Sequence, residues 1–171
     1  MSNGWMLPEE VFYWLEKNIE HDSKILEFGS GQGTVRLNKN FQVTSVEHNE
    51  EFLNLGNNEY ILARITPNKV SQEHSQTGWY DINVLNDLPN KVKVIIIDGP
   101  PGDIGRMGIL QVLHELPISN WMIVDDTDRL DEKILCEKII KELNPMEIHT
   151  ITSESYRANG NYREATLLRL R

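Results

Sequence analysis

Three glycines at alternate positions mark the most chemically suggestive stretch of this sequence, "ILEFGSGQGT", residues 25–34. One of them would make a turn. Three of them, Gly29, Gly31 and Gly33, between a strand signal and a helix signal suit a loop lying against a ligand, because glycine lets another group approach the backbone closely. Glu27 sits inside the same stretch, and Glu47 with His48 closes the next apolar run, "FQVTSVEH". Asp98 ends "KVIIID", while Asp125 and Asp126 end "WMIVDD". If these runs are strands of one open α/β sheet, their closing acids meet on one rim, since ligands in such sheets bind outside the carboxyl ends of the strands. Grouped carboxylates repel: two unit charges about 4 Å apart cost roughly 4 kcal/mol at an effective dielectric near 20. Something cationic or rich in donors must offset them.

Glu47 follows Gly33 by 14 residues, close to where a dinucleotide-binding fold places the acid that holds ribose hydroxyls. Two acceptor oxygens suit a vicinal diol. Taken alone Glu47 reads equally as a solvated acid at a strand end; the glycine loop upstream favours the ribose. A nicotinamide fingerprint would place Gly or Ala at Thr34, and 171 residues leave no room for a separate catalytic domain.

Strands alternating with helices must carry these residues. "PEEVFYWLEKNI" reads as a helix, with Pro8 at its first turn and Val11, Trp14, Leu15 and Ile19 on one face. "KILEF" is a buried strand, residues 34–39 a short helix, and "FQVTSVE" a second strand. Asn49 caps an expected helix over residues 49–64, and residues 69–73 are expected to form a strand. "KVIIID" is a continuous β-branched run of the kind found at the centre of a parallel sheet. A helix over residues 106–115 should follow, then the strand "WMIVDD" and a helix over residues 128–143 that Pro145 ends. "MEIHTITS" and "EATLLRLR" flank a turn at Asn159-Gly160, a hairpin-like return that makes the final strand antiparallel. The whole reads as one α/β domain over residues 1–171 with a mostly parallel sheet.

The formal net charge of −9 disfavours nucleic acid as a substrate, because phosphate contacts need Lys and Arg. Cys136 is the single cysteine, so no internal disulfide forms, and its apolar neighbours mark it as a small core residue. The opening "MSNGWMLPEE" lacks the basic flank and apolar core of a signal peptide, and no apolar run approaches the roughly 20 residues of a membrane helix. Cytoplasmic location is the default expectation, with a small molecule rather than a membrane as partner.

"KILEFGSGQGTVRL", "VTSVEHNEEFL", "VIIIDGPPG" and "WMIVDDTDR", in that order and spacing, resemble a class I S-adenosylmethionine-dependent methyltransferase from Lys24 to the end of the chain. The resemblance implies a Rossmann-like fold with a seven-stranded sheet, its last strand antiparallel, and helices on both faces. It implies that Glu27, Gly29, Ser30, Gly31 and Gly33 lie along the methionine part of S-adenosylmethionine. Glu47 would hold the ribose and His48 would border the adenine. Asp81 is a candidate for the acid that usually lies on the adenine side. "IIIDG" and "IVDDT" further resemble the divalent-metal-dependent O-methyltransferases, which implies Asp98, Asp125 and Asp126 as ligands of Mg²⁺ or a similar hard cation. Asp98 is then the residue expected nearest the transferred methyl, as metal ligand or, without metal, as base. Pro101 stands where the catechol-type enzymes carry a Lys, and Pro100 where the sugar-modifying enzymes carry an acid, so no family base transfers. "DDTDR" also reads as a plain helix start with an Asp-to-Arg129 contact.

The expected activity is methyl transfer to a hydroxyl of a small molecule, with Asp103 and Arg106 as candidate substrate contacts. A binding module that kept the cofactor site without turnover, and a nucleotide-binding oxidoreductase, stay open as alternatives.

Overall fold

The computed structural model describes residues 6–56 and 58–171. The opening residues read for a signal peptide lie mostly outside them, residues 1–5 being undescribed. Among the described residues, nine strands and four α-helices follow one another as α1 (Glu9–Asn18), β1 (Lys24–Phe28), α2 (Gln32–Leu37), β2 (Gln42–Glu47), β3 (Glu59–Leu62), β4 (Ile65–Thr66), α3 (Lys69–Glu73), β5 (Trp79–Tyr80), β6 (Val94–Ile97), β7 (Trp121–Asp125), α4 (Leu130–Leu143), β8 (Glu147–Tyr156) and β9 (Tyr162–Arg169). Seven strands form one sheet in the order β3-β2-β1-β6-β7-β9-β8. Its strands are parallel except β9, which runs antiparallel to both β7 and β8. This is the α/β sheet with an antiparallel last strand that the sequence predicts.

Alternation along the central strands explains why both faces are covered. Ile25, Val94, Ile96, Ile123 and Leu167 pack on one face with Val11, Phe12 and Leu15 of α1. Leu26, Phe28, Ile95, Ile97, Met122 and Val124 pack on the other with Leu135, Cys136 and Ile139 of α4. With both faces buried, every residue of "VIII" must be apolar, and all four are buried. Helix α4 ends where Asn144 takes a left-handed conformation and its N–H bonds the carbonyl of Ile140 at 2.9 Å, with Pro145 next. Among the described residues, no helix is long and apolar enough to cross a membrane.

Three local expectations fail. Residues 49–64 are not a helix: a 3₁₀ turn covers Glu50–Phe52, and β3 then adds to the sheet edge offered by β2. The spacing of Phe52, Leu55, Ile61 and Leu62, at i, i+3, i+9 and i+10, imitates one face of a helix, but Asn54 sits at φ 59 and interrupts it. Lys69–Glu73 is a helix rather than a strand, because the Asn68 side chain accepts from the Ser71 N–H and caps it. The helix expected over residues 106–115 is two 3₁₀ turns, Met107–Gln111 and Leu113–Glu115.

Candidate functional site

Strand order reverses between β1 and β6, which lie side by side although chain segments to either edge separate them. Loops leaving the two strands diverge there, and the crevice they open is where an α/β sheet binds ligands. Gly29 follows β1 at φ +92, and a Cβ on it would lie 3.0 Å from the Asp98 carbonyl and from the Cα of Gly99. A Cβ on Gly99 would stand 2.7 Å from the Gly29 Cα. The two loops touch backbone to backbone, so glycine is required on both sides.

A cavity of about 660 Å³ opens above this contact, within the range of small-molecule sites. Gly29, Ser30, Gly31, Glu47, His48, Asp98, Asp125 and Asp126 line it, together with Phe52, Asp103, Arg106, Arg129 and Arg163. Glu47 is fixed from three sides. Its Oε2 accepts from the Ser30 N–H at 2.8 Å, and its Oε1 accepts from the N–H groups of His48 and Asn49, both at 2.8 Å. The Ser30 hydroxyl stands 3.4 Å from Oε2 and 2.8 Å from the Phe52 carbonyl.

Glu27 and Gly33 are not on the cavity wall. Glu27 lies beneath the loop, 4% exposed, accepting from the hydroxyls of Thr34 and Ser45; Thr34 in turn accepts from the Gly31 N–H at 3.0 Å. Its work is to hold the loop from below. A Cβ on Gly33 would meet the Phe12 ring at 3.3 Å, so Gly33 lets α1 pack closely against the start of α2. Asp81 is also off the wall; it caps the 3₁₀ turn Ile82–Asp87, accepting from the Asn83 N–H. His114 lies in the 3₁₀ turn Leu113–Glu115, away from the cavity, and pairs with Glu142 on the surface.

Burial, opposed by bonds from Ser45 and Thr34, pushes the Glu27 carboxyl up to about 7 from an ordinary 4.5. The folded state therefore binds more protons than the unfolded one between those values, and stability contributed by this group falls as pH rises through the window. The loss is about 3 kcal/mol. Glu27→Gln, which keeps the acceptor oxygen and removes the charge, should gain on the wild type by about that amount between pH 4.5 and 8 in urea unfolding. An unchanged difference across that range would refute the buried-carboxyl account.

The carboxylates at the ends of β6 and β7 are met by arginines. Asp98, Asp125 and Asp126 each offer one oxygen within 4.8 Å of the others. Arg106, 3% exposed, donates from Nη2 to the Asp98 carbonyl at 3.0 Å and to Asp126 Oδ2 at 3.1 Å, from Nε to the Pro100 carbonyl at 3.0 Å, and from Nη1 to the Asp125 carbonyl at 3.3 Å. Arg129 Nη1 stands 3.1 Å from Asp126 Oδ2. Arg157 pairs with Oδ1 of Asp126 and with Asp128. Arg163 lies 3.6 Å from Asp125 Oδ2 and 3.9 Å from Asp126 Oδ1. Burial works against the Asp126 carboxylate, yet Arg106, Arg129 and Arg157 together hold it below its usual range. Burial pushes the Asp98 and Asp125 carboxyls above theirs, with Arg106 opposing. Neither side-chain oxygen of Asp125 has a hydrogen-bond partner, although the residue is 1% exposed and borders the cavity.

Arg157 and Arg163 are the residues that sequence reasoning missed in this role. Both belong to the β8–β9 hairpin region, and only the antiparallel return of β9 brings its start beside the end of β7, where Asp125 pairs with Ala165.

No family model matches the chain, and no curated protein does either. Solved structures do resemble it. An O-methyltransferase from Bacillus cereus in complex with SAH aligns over 98% of this chain and 84% of its own, with a TM-score of 0.62 and 12% identity. An rRNA methylase from Streptococcus thermophilus aligns over 95% of each chain, with a TM-score of 0.58 and 14% identity. The N-methyltransferase NodS from Bradyrhizobium japonicum WM9 aligns over 94% of this chain and 93% of its own, with a TM-score of 0.58 and 11% identity. At these identities the likeness is one of architecture: the chain is built on the Rossmann-like fold that these methyltransferases share.

Proposed function

We propose that this protein is a single-domain methyltransferase that uses S-adenosylmethionine to methylate a hydroxyl of a small molecule. The observation that carries the reading is the cavity at the strand-order reversal, walled by the backbone of the glycine loop and by the Glu47 carboxylate. The loop offers a close backbone approach, and the Glu47 carboxylate on the same wall suits a sugar hydroxyl. His48 and Phe52 border the same cavity and supply ring faces for a purine.

S-adenosylmethionine supplies a sulfonium methyl carbon open to in-line attack. Asp98, its side chain a quarter exposed on the cavity wall beside Gly29, is placed to take the proton from the acceptor hydroxyl as the oxygen–carbon bond forms and the sulfur–carbon bond breaks. Holding the reacting atoms in near-attack geometry supplies much of the rate in such displacements. Asp103, Arg129 and Arg163 border the cavity and are placed to orient the acceptor. A net charge of −9 favours a small acceptor over a polyphosphate one.

The family resemblance would add Mg²⁺ on Asp98, Asp125 and Asp126, but the donor set does not fit it. Guanidinium nitrogens already face both side-chain oxygens of Asp126, at 3.1 Å on Oδ2. A dication there would stand among up to four positive charges, so no step of the reaction is routed through a metal.

Calorimetry with S-adenosylhomocysteine and with NADH tests the reading. We expect one S-adenosylhomocysteine per chain and no NADH; the reverse would overturn the assignment. Methyl transfer to a panel of hydroxyl acceptors then separates an enzyme from a binding module.

A further inference from the structure

We propose that Arg106 is the built-in cation of this site, holding Asp98 and the end of β7 in the place that a divalent metal would otherwise take, so that the centre is metal-free by design. The inference rests on the methyltransferase reading for its purpose, but its geometry is independent of it. Arg106 is 3% exposed and reaches three separate pieces of chain: the end of β6 through the Asp98 carbonyl, the loop after it through the Pro100 carbonyl, and the end of β7 through the Asp125 carbonyl and the Asp126 carboxylate. Its Nε also lies 4.0 Å from Glu132 Oε1 on α4. A single guanidinium therefore meets two of the three carboxylates that a cation among the aspartates would have to meet, Asp126 at 3.1 Å and Asp98 at 3.5 Å, and holds Asp125 by its backbone carbonyl, with a fixed planar fork of donors.

Charge makes the two occupants exclusive. Arg106 Nη2 is 3.1 Å from Asp126 Oδ2 and 3.5 Å from Asp98 Oδ1, so a metal bonded to those oxygens would lie within a few ångströms of a positive charge. Asp126 cannot turn its other oxygen to a metal without meeting Arg157 and Arg163. Arg106 is a positioning residue in this account. It holds the Asp98 side chain at the cavity wall, while the Asp125 carboxyl, which accepts no hydrogen bond, is balanced by Arg163 at 3.6 Å rather than by an ion.

Mn²⁺ binding, read by electron paramagnetic resonance of the free ion, tests the proposal without any need for turnover. The wild type should leave Mn²⁺ free at millimolar concentration. Arg106→Met, which removes the charge and keeps much of the bulk, should tighten Mn²⁺ binding by at least about 100-fold, and adding Asp98→Asn should reverse the gain. Arg106→Lys retains a cation and should behave as the wild type. A wild-type site of micromolar affinity that disappears in Asp98→Asn would overturn the proposal, as would folded Arg106→Met with unchanged affinity. If Arg106→Met does not fold, the wild type and Arg106→Lys decide it: free Mn²⁺ in both supports the proposal, and tight binding in either defeats it. S-adenosylhomocysteine calorimetry on the same samples separates the two claims. Loss of that binding in the wild type defeats the methyltransferase reading, while the Mn²⁺ result still judges Arg106.

Discussion

Asp126→Ala is expected to destabilise the protein by about 3–5 kcal/mol at pH 7, the cost of removing one partner from a buried charge cluster. Asp126 is 5% exposed, and guanidinium groups of Arg106, Arg129, Arg157 and Arg163 all approach its carboxylate within 4.0 Å. Without it those groups face one another, and Arg106 keeps only Asp98, Glu132 and backbone carbonyls. The residue also sits at φ 62, a conformation alanine adopts at a cost and asparagine tolerates well. Asp126→Asn should therefore lose less, since its carbonyl oxygen still accepts from a guanidinium. Urea unfolding of both variants checks this. An alanine variant within about 1 kcal/mol of the wild type would show that the cluster is not the buried network described.

Glu47→Ala should weaken S-adenosylhomocysteine binding by about 2–3 kcal/mol, roughly 30- to 150-fold, the loss expected for charge-assisted bonds to a diol. Part of the loss would come from the loop, because the Ser30 N–H gives up its partner at 2.8 Å. Glu47→Gln keeps an acceptor for that N–H and removes the charge, so it isolates the contribution of the carboxylate and should fall between alanine and the wild type. Calorimetry gives both numbers, and circular dichroism confirms that each variant folds. Unchanged affinity in a folded Glu47→Ala would remove Glu47 from the site and, with it, the ribose assignment.

Central strands were the easiest part of the fold to read. "VIII" and "WMIV" are apolar at every position because helices cover both sides of the sheet at that point, a pattern visible without coordinates. The edge was harder. β3 shows burial "eiie", and a half-buried strand carries a weaker period than a core strand, so helical spacing around Phe52 and Leu55 misled. Residues 69–73 misled for a different reason. A single cap at Asn68 outweighs the β-branched Val70, and a cap of that kind shows in sequence only as an Asn three residues before a Ser.

The candidate site divides the same way. Gly29, Ser30, Gly31, Glu47, His48, Asp98, Asp125 and Asp126 all follow directly from strand ends, and the cavity wall contains every one of them. Glu27 was just as visible in the sequence. Its side chain points under the loop because Thr34 and Ser45 offer hydroxyls there, a contact between residues 7 and 18 positions away that no local pattern encodes.

The parallel core and the rim of acids follow from local alternation and from the rule that strand ends collect on one side of a sheet, so they were written in the order of residues. The answer to the acids' repulsion was not. Arg106 comes from a 3₁₀ region, and Arg157 and Arg163 come from a hairpin whose antiparallel return places them beside Asp125 and Asp126. Charge balance is a sum over groups that are neighbours in space, and only the closed sheet made these residues neighbours.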